Sequence, residues 1–340
     1  MARLRVAVLM GGRSSEHEIS VASALSVLES LDPDRYEVRS IEIARDGRWE
    51  LTSRAEQARL GTGDSEKLPV PLNGQPAPLG DVDVVFPVLH GPFGEDGTVQ
   101  GFLELAGVAY VGAGVTASAL CMDKDLFKAV MRDKGIPVVE SITVLARHRD
   151  QAENPFGFPV VVKPARLGSS VGISIAKTPE EFSRALDLAL EHDEKVLVEE
   201  HCAGVEVECS VLGNEKPIAS IPGEIVPLVS EWYDYKAKYE EGGMDLVVPP
   251  RLDVATIARV QELAVAAFVA SDCEGMARVD FFVREDGKVL VNELNTIPGF
   301  TSTSVYAKLF EASGISYREL LDRLVELALE RRDRRERLKY

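Results

Sequence analysis

The sequence predicts an α/β protein, with a parallel sheet in its N-terminal part and α+β architecture after it, and three observations carry that prediction. Apolar runs of strand length alternate with helix-period segments through the first 112 residues, the pattern of a parallel sheet covered by helices. Beyond residue 195, strand-like runs succeed one another and end in a hairpin pattern over residues 277 to 295. A chain of 340 residues with 45% hydrophobic content can build two or three domains with real cores.

Composition narrows the function classes. A net charge of -17 and a pI near 4.9 argue against sequence-independent nucleic-acid binding, which needs a basic surface. The apolar run Val6 to Met10 is too short for the core of a signal peptide, and no window approaches the ~18 apolar residues of a membrane span. A cytoplasmic protein without membrane contact is therefore expected. Cys121, Cys202, Cys209 and Cys273 are scattered without a CxxC pair, as reduced and mostly buried thiols would be.

Residues 4 to 10 form the first strand, and the turn Gly11 to Glu18 leads into a helix running to about Leu31, with Ser15 and Glu18 as a capping box. The turn lacks GxGxxG and reads only weakly as a dinucleotide site. Glu16 either complements the helix dipole or holds a substrate ammonium. Tyr36 to Ala44 and Arg48 to Leu51 alternate as strands around Asp46-Gly47, and residues 53 to 80 read as a surface insertion. Asp83 to Leu89 is a buried strand, followed by the loop His90 to Thr98 and a helix to Ala106. The Glu16 turn and the His90 loop both sit at the carboxyl edge of a parallel sheet, where ligands gather. His90 reads equally as a structural histidine or a substrate contact.

A strand over Val108 to Val111 ends near a domain boundary at 112, and one helix is expected to run through Lys134. Phe158 to Pro164 is β-rich and carries Lys163; the loop Ala165 to Ile173 offers backbone N–H groups and the Ser169 and Ser170 hydroxyls to a phosphate, with a plain hairpin loop as the competing reading. It is not a P-loop. Thr178 caps a helix with Pro179 at its first position. Lys195 to Glu199 returns as a strand toward a second boundary near 199. Val205 to Leu212 and Pro217 to Val226 follow as strands, then a possible lid over 230 to 243, a core helix over Val254 to Ala270, a helix over 317 to 330 and a fraying charged tail from Arg331.

The densest chemistry lies in the hairpin. With Asp286-Gly287 as a two-residue turn, Glu285 faces Lys288, Asp280 faces Glu293 and Arg278 faces Asn295, all four site residues on one face that Phe282 and Val291 continue. Directly opposed residues have Cβ atoms roughly 4.5–5.5 Å apart, so opposed carboxylates repel and something positive should sit between them. Two carboxylates and an amide oxygen suit Mg²⁺, and Arg278 can hold an anionic oxygen beside it. A solvated acidic face is the competing reading.

Seven stretches, GGRSSEHEIS, LHGPFGEDGTVQG, SALCMDK, VVKPARLGSSVG, YDYKAKY, ARVDFF and NELNTIPGFTSTS, occur in an order and spacing that resemble the ATP-grasp superfamily and, within it, the D-alanine:D-alanine ligase family, over essentially the whole chain. The resemblance implies an N-terminal α/β substrate domain over 1–112, a central ATP-grasp domain over 113–198 and a C-terminal one over 199–340, the last two sandwiching ATP. It implies ATP as co-substrate and Mg²⁺ or Mn²⁺, two ions, on Asp280, Glu293 and Asn295. Lys124 and Lys163 would contact phosphates, Glu199, Glu200 and Cys202 the adenine, and Glu206 the ribose. Glu16 would receive the ammonium of a first D-alanine, hydrogen-bonded with Ser169 and Tyr239. Arg278 would steady the transferring phosphoryl group, and His90, Gly299 and Ser304 would contact substrate. The implied reaction makes D-alanyl-D-alanine through an acyl phosphate for peptidoglycan synthesis. D-lactate or another acceptor is the alternative, with Tyr239 favouring the amine. A homodimer is implied as well.

Overall fold

The computed structural model describes residues 2–52, 79, 81–228 and 243–339. The insertion expected over 53 to 80, Leu79 excepted, and the lid expected over 230 to 243, Gly243 excepted, lie outside them. So does Tyr239.

The first sheet is built on β1 (Leu4–Gly11), buried from Val6 onward. After α1 (His17–Ser30), β2 (Tyr36–Ile43) pairs with it in parallel, and β3 (Trp49–Thr52) folds back antiparallel on β2. β4 (Val84–Pro87) lies parallel on the other side of β1, and after α2 (Thr98–Leu105) β5 (Ala109–Tyr110) completes the order β3-β2-β1-β4-β5. Burial on both faces explains the continuous apolar run of β1. Val6, Val8 and Met10 face α1 and the C-terminal helices, while Ala7 and Leu9 face Val99 and Leu103 of α2. The Ser15/Glu18 capping box does not form: Glu16 is the N-cap residue and no side chain caps the helix. Ser14 takes the local role, its Oγ accepting from Glu16 N–H at 3.2 Å and donating to His90 O at 2.7 Å.

The single helix expected through Lys134 is two, α3 (Val115–Met122) and α4 (Lys124–Asp133). Asp123 breaks it with extended backbone, and its carboxylate caps α4 by accepting from Leu126 N–H at 3.2 Å. The second sheet is antiparallel, β6 (Ser141–Leu145), β7 (Val160–Pro164), β8 (Ser174–Ala176) and β9 (Lys195–Glu200) in the order β6-β9-β7-β8. Helix α5 (Pro179–Leu190), capped by Thr178 as expected, covers one face.

The third sheet runs β13-β12-β10-β14-β15, from β10 (Val205–Gly213), β11 (Ile218–Ala219, beside β10), β12 (Gly223–Pro227), β13 (Met244–Val247), β14 (Gly275–Val283) and β15 (Val289–Asn295). The strand expected over Pro217 to Val226 is split at Ser220, which bonds twice to Ser210 of β10 through N–H and Oγ. Helix α6 (Val254–Ala270) packs on this sheet, and α7 (Val305–Ala312) and α8 (Tyr317–Glu336) carry the chain back to the first one. The tail expected to fray at Arg331 is helical to Glu336. Arg331 is 3% exposed; it donates to Gly112 O at 2.5 Å and Tyr110 O at 2.6 Å and lies over the Tyr110 ring. A charged repeat reads as solvated, and nothing local announces that one guanidinium of it closes a backbone gap.

Candidate active site

Asp280 pairs directly with Glu293 and Arg278 with Asn295 across β14 and β15. The expected facing residues meet, but by a different route. The turn is a three-residue loop closed by Arg284 N–H to Lys288 O at 3.0 Å, with Gly287 at φ +80°. That offsets the ladder by one, so Phe282 faces Leu290 and Val283 faces Val289. A bulge between Asp280 and Phe281 then offsets it back. The two shifts cancel at the site. Their net effect is that Val291 belongs to the core rather than to the site face, while Asn292 joins Glu293 at the cleft.

The positive charge that the facing carboxylates require is supplied from two sides. Arg278 grips Asp280 with two bonds of 2.7 Å and reaches Glu208 Oε2 at 2.8 Å. Lys124 Nζ lies 3.4 Å from Glu293 Oε2 and donates to Leu167 O at 2.8 Å. Asn295 turns its amide N–H toward Asp280 at 3.0 Å. Among the described residues no three His, Cys, Asp or Glu side chains converge as a metal cluster. The donor set is two carboxylates and one amide oxygen, all hard ligands that suit a small divalent cation.

Above this lies the carboxyl edge of the first sheet. Glu16 is 6% exposed, and Ser169 donates to its carboxylate from the loop after β7. Ser169 and Ser170 both adopt left-handed backbone, at φ +53° and +58°, in the loop that joins the antiparallel β7 and β8 and reaches Glu16 through Ser169. Gly91 has φ +73°, and a Cβ there would collide with the Glu16 carboxylate. His90 is buried; its Nδ1 donates to Ile297 O at 2.9 Å, which leaves Nε2, 3.4 Å from Ser23 Oγ, to accept. Burial lowers its pKa, which favours the neutral ring that these two contacts require. Glu95 completes the frame by accepting from Gly91 N–H at 2.8 Å and Ile297 N–H at 3.0 Å. Burial, then the Glu16 charge, push its pKa up to about 8. Gly299 sits against Ser304, the N-cap of α7, whose Oγ accepts from Thr301 N–H at 3.0 Å.

Between the second and third sheets opens a cavity of about 430 Å³, a size suited to a small-molecule ligand. Lys163, Glu199, Cys202, Glu206 and Asn292 line it, and Glu200 borders the same strand end. Lys163 Nζ is 2.8 Å from Glu199 Oε2 and donates to Asn292 Oδ1 at 3.2 Å. Burial pushes the Glu199 carboxyl upward, but the Lys128 and Lys163 ammoniums outweigh it and hold the acid below its ordinary value.

Two family models match the chain, D-ala D-ala ligase N-terminus over residues 5–113 and D-ala D-ala ligase C-terminus over residues 130–326. The chain belongs to the D-alanine–D-alanine ligase family. It is 40% identical to the D-alanine–D-alanine ligase of Oceanobacillus iheyensis, with 98% of each chain covered. Among solved structures, it resembles the VanG D-Ala:D-Ser ligase of Enterococcus faecalis at a TM-score of 0.86 and 37% identity, covering 96% of this chain and 100% of that one. It resembles the Bacillus anthracis D-alanine–D-alanine ligase complexed with ATP at a TM-score of 0.75 and 28% identity, covering 98% and 99%.

Four groups of this ligase escaped the sequence reading. Asn292 was hidden because strand alternation assigns it to the opposite face. Glu208 could have been found, since it follows Glu206 by two residues on one strand. Glu95 lies in the conspicuous HGPFGEDG loop, where nothing distinguishes it from Asp96, and Lys128 looks like any helix-surface lysine one turn past Lys124.

Proposed function

We propose that the chain joins two D-alanine molecules at the expense of ATP, through an acyl phosphate. One observation carries the reading: Ser169, which bonds Glu16, lines the same cleft as the facing Asp280 and Glu293, with Arg278 bonded to Asp280. An anchor for an ammonium and a hard oxygen set thus flank the place where a carboxylate would meet a phosphate.

Glu16 receives the ammonium of the first D-alanine, and Gly299 N–H with the Ser304 hydroxyl orients the reacting carboxylates. The first carboxylate attacks the γ-phosphorus, ADP leaves, and the amine of the second D-alanine displaces phosphate from the acyl carbon. Lys124 and Lys163 hold phosphate oxygens, and Arg278 neutralises the group in transfer; positioning and charge account for such a step without a covalent nucleophile. Asp280, Glu293 and Asn295 would hold Mg²⁺ or Mn²⁺, two ions, which supply charge neutralisation to the phosphates when bound. Glu199, Glu200 and Cys202 face the adenine and Glu206 the ribose. Tyr239 would join the Glu16–Ser169 group. His90 supports the substrate pocket through Ile297. Domains over 1–112, 113–198 and 199–340, a homodimer and a cytoplasmic location belong to the same proposal; four unpaired cysteines support the last. Among the described residues no helix is long and apolar enough to cross a membrane.

The likeness to a D-Ala:D-Ser ligase favours one second reading, D-alanine joined to another D-amino acid or a hydroxy acid. Phosphate release from MgATP with D-alanine alone, and with D-serine or D-lactate added, separates the two when products are weighed by mass spectrometry. Release with D-alanine and a D-alanyl-D-alanine product is expected. No release at any pH from 6 to 9 sinks both readings.

A further inference from the structure

Lys128 is fully buried and does not line the cleft. It follows Lys124 by one helical turn on α4, so the same helix sends one ammonium to the Ser169 loop and the next inward. Its Nζ lies 2.5 Å from Glu199 Oε1 and donates to Val139 O at 3.1 Å. The other oxygen of Glu199 meets Lys163 Nζ at 2.8 Å, and Lys163 reaches Asn292 at 3.2 Å. A line of four side chains therefore runs from α4 through β9 and β7 to β15.

The charges along this line decide what a nucleotide meets. Glu199 and Lys163 by themselves cancel. With Lys128 the group carries two ammoniums and one carboxylate, a net charge of +1, and of the three Lys163 is the one that reaches across the cleft to β15. We propose that Lys128 is a positioning residue for nucleotide phosphates: by pairing with Glu199 Oε1 it gives the otherwise neutral Lys163–Glu199 pair a net positive charge toward the cleft. The inference rests on the nucleotide reading above and deepens it.

The competing account is a buried ion pair that serves packing alone, in which case a neutral side chain would leave ligand affinity untouched. The two differ in pH dependence. Lys128 is faced by Glu199 from β9, by Lys163 from β7, by Arg132 on its own helix and by the Cys202 thiol beyond β9. Burial lowers its pKa to about 8, Glu199 notwithstanding. Above that pH the group loses its net charge and its hold on a polyphosphate weakens.

The test is calorimetric titration of wild type, Lys128→Met, Lys128→Gln and Lys128→Arg with adenosine, ADP and ATP, each variant first shown folded by circular dichroism and thermal melting. The neutral variants should bind ADP and ATP roughly tenfold more weakly while adenosine, which has no phosphate, binds as before. Wild-type ATP affinity should fall above about pH 8, and Lys128→Arg, always charged, should postpone that fall. Unchanged ADP binding in both neutral variants, or equal weakening of adenosine and ADP, overturns the inference while leaving the nucleotide reading intact. No ADP or ATP binding by the wild type overturns that reading and the inference with it. If Lys128→Met does not fold, Lys128→Gln, which keeps polar contacts to Glu199 and Val139, decides the same comparison.

Discussion

Lys124 and Glu293 stand 3.4 Å apart, an ammonium resting on a carboxylate that faces another carboxylate. On the proposed reading the lysine would yield this carboxylate to a metal ion and turn to a phosphate. Glu293→Gln keeps the shape and removes the charge. Phosphate release should fall by about 100-fold or more, with thermal unfolding almost unchanged. Near-normal turnover would show that Glu293 holds no ion.

Glu16 is placed by neighbours as much as by its own helix. Glu16→Gln and Ser169→Ala should raise the KM for the first D-alanine by about tenfold, the worth of a charge-assisted hydrogen bond. Gly91→Ala should do the same from a distance, because its Cβ enters the Glu16 carboxylate. Equal KM values in steady-state assays would remove Glu16 from the ammonium site.

The bulge in β15 makes a prediction of its own. Asn292→Ala leaves it in place and should lower turnover several-fold through the lost bond to Lys163. Deleting Asn292 removes the bulge but keeps Val291 opposite Phe281 and Glu293 opposite Asp280, so it should lower turnover only to about the level of Asn292→Ala. Loss of phosphate release in the deletion alone, in a phosphate-release assay of both variants, would show that the bulged backbone is needed as well as the pairing.

Glu95 gives a pH dependence of stability. Its pKa in the folded chain is raised from 4.5 to about 8, so the folded state holds a proton that the unfolded state has lost. Its contribution is full below about pH 4.5 and is lost as pH rises through about 8. The melting temperature of the wild type relative to Glu95→Gln should therefore decline from pH 6 to 9, as differential scanning fluorimetry would reveal. A constant difference would place the ordinary pKa on Glu95.

Phe300 is fully buried, with the Phe86, Tyr306 and Tyr317 rings at centroid distances of 5.6–5.8 Å. It fastens the loop carrying Gly299 to the first sheet. Phe300→Ala should cost about 3–5 kcal/mol of stability, measured by denaturant unfolding. A loss below ~1 kcal/mol would mean that the loop is not held there.

Most of the strand and helix order was legible because apolar period and caps such as Thr178 are local signals. The facing pairs Asp280–Glu293 and Arg278–Asn295 were legible too, although the turn is one residue longer than its Asp-Gly suggests and the bulge restores the count. What escaped depends on partners distant in sequence. Arg331 finds carbonyls more than 200 residues away, and Lys128 is buried only because β9 presents Glu199 to it. Asp123 divides one helix-like stretch into two, since its side chain caps α4 and also receives Lys195 at 2.6 Å.

Ile297 has both its backbone groups engaged by one loop, the N–H by Glu95 and the C=O by His90. Its peptide planes cannot rotate without breaking the bond on one side or the other. The amides of Ile297 and Gly91 should accordingly be among the slowest to exchange with deuterium outside the sheets. Their protection should vanish together in Glu95→Ala, making a pair of exchange rates a direct gauge of whether the His90–Glu95 loop and the segment after β15 move as one piece.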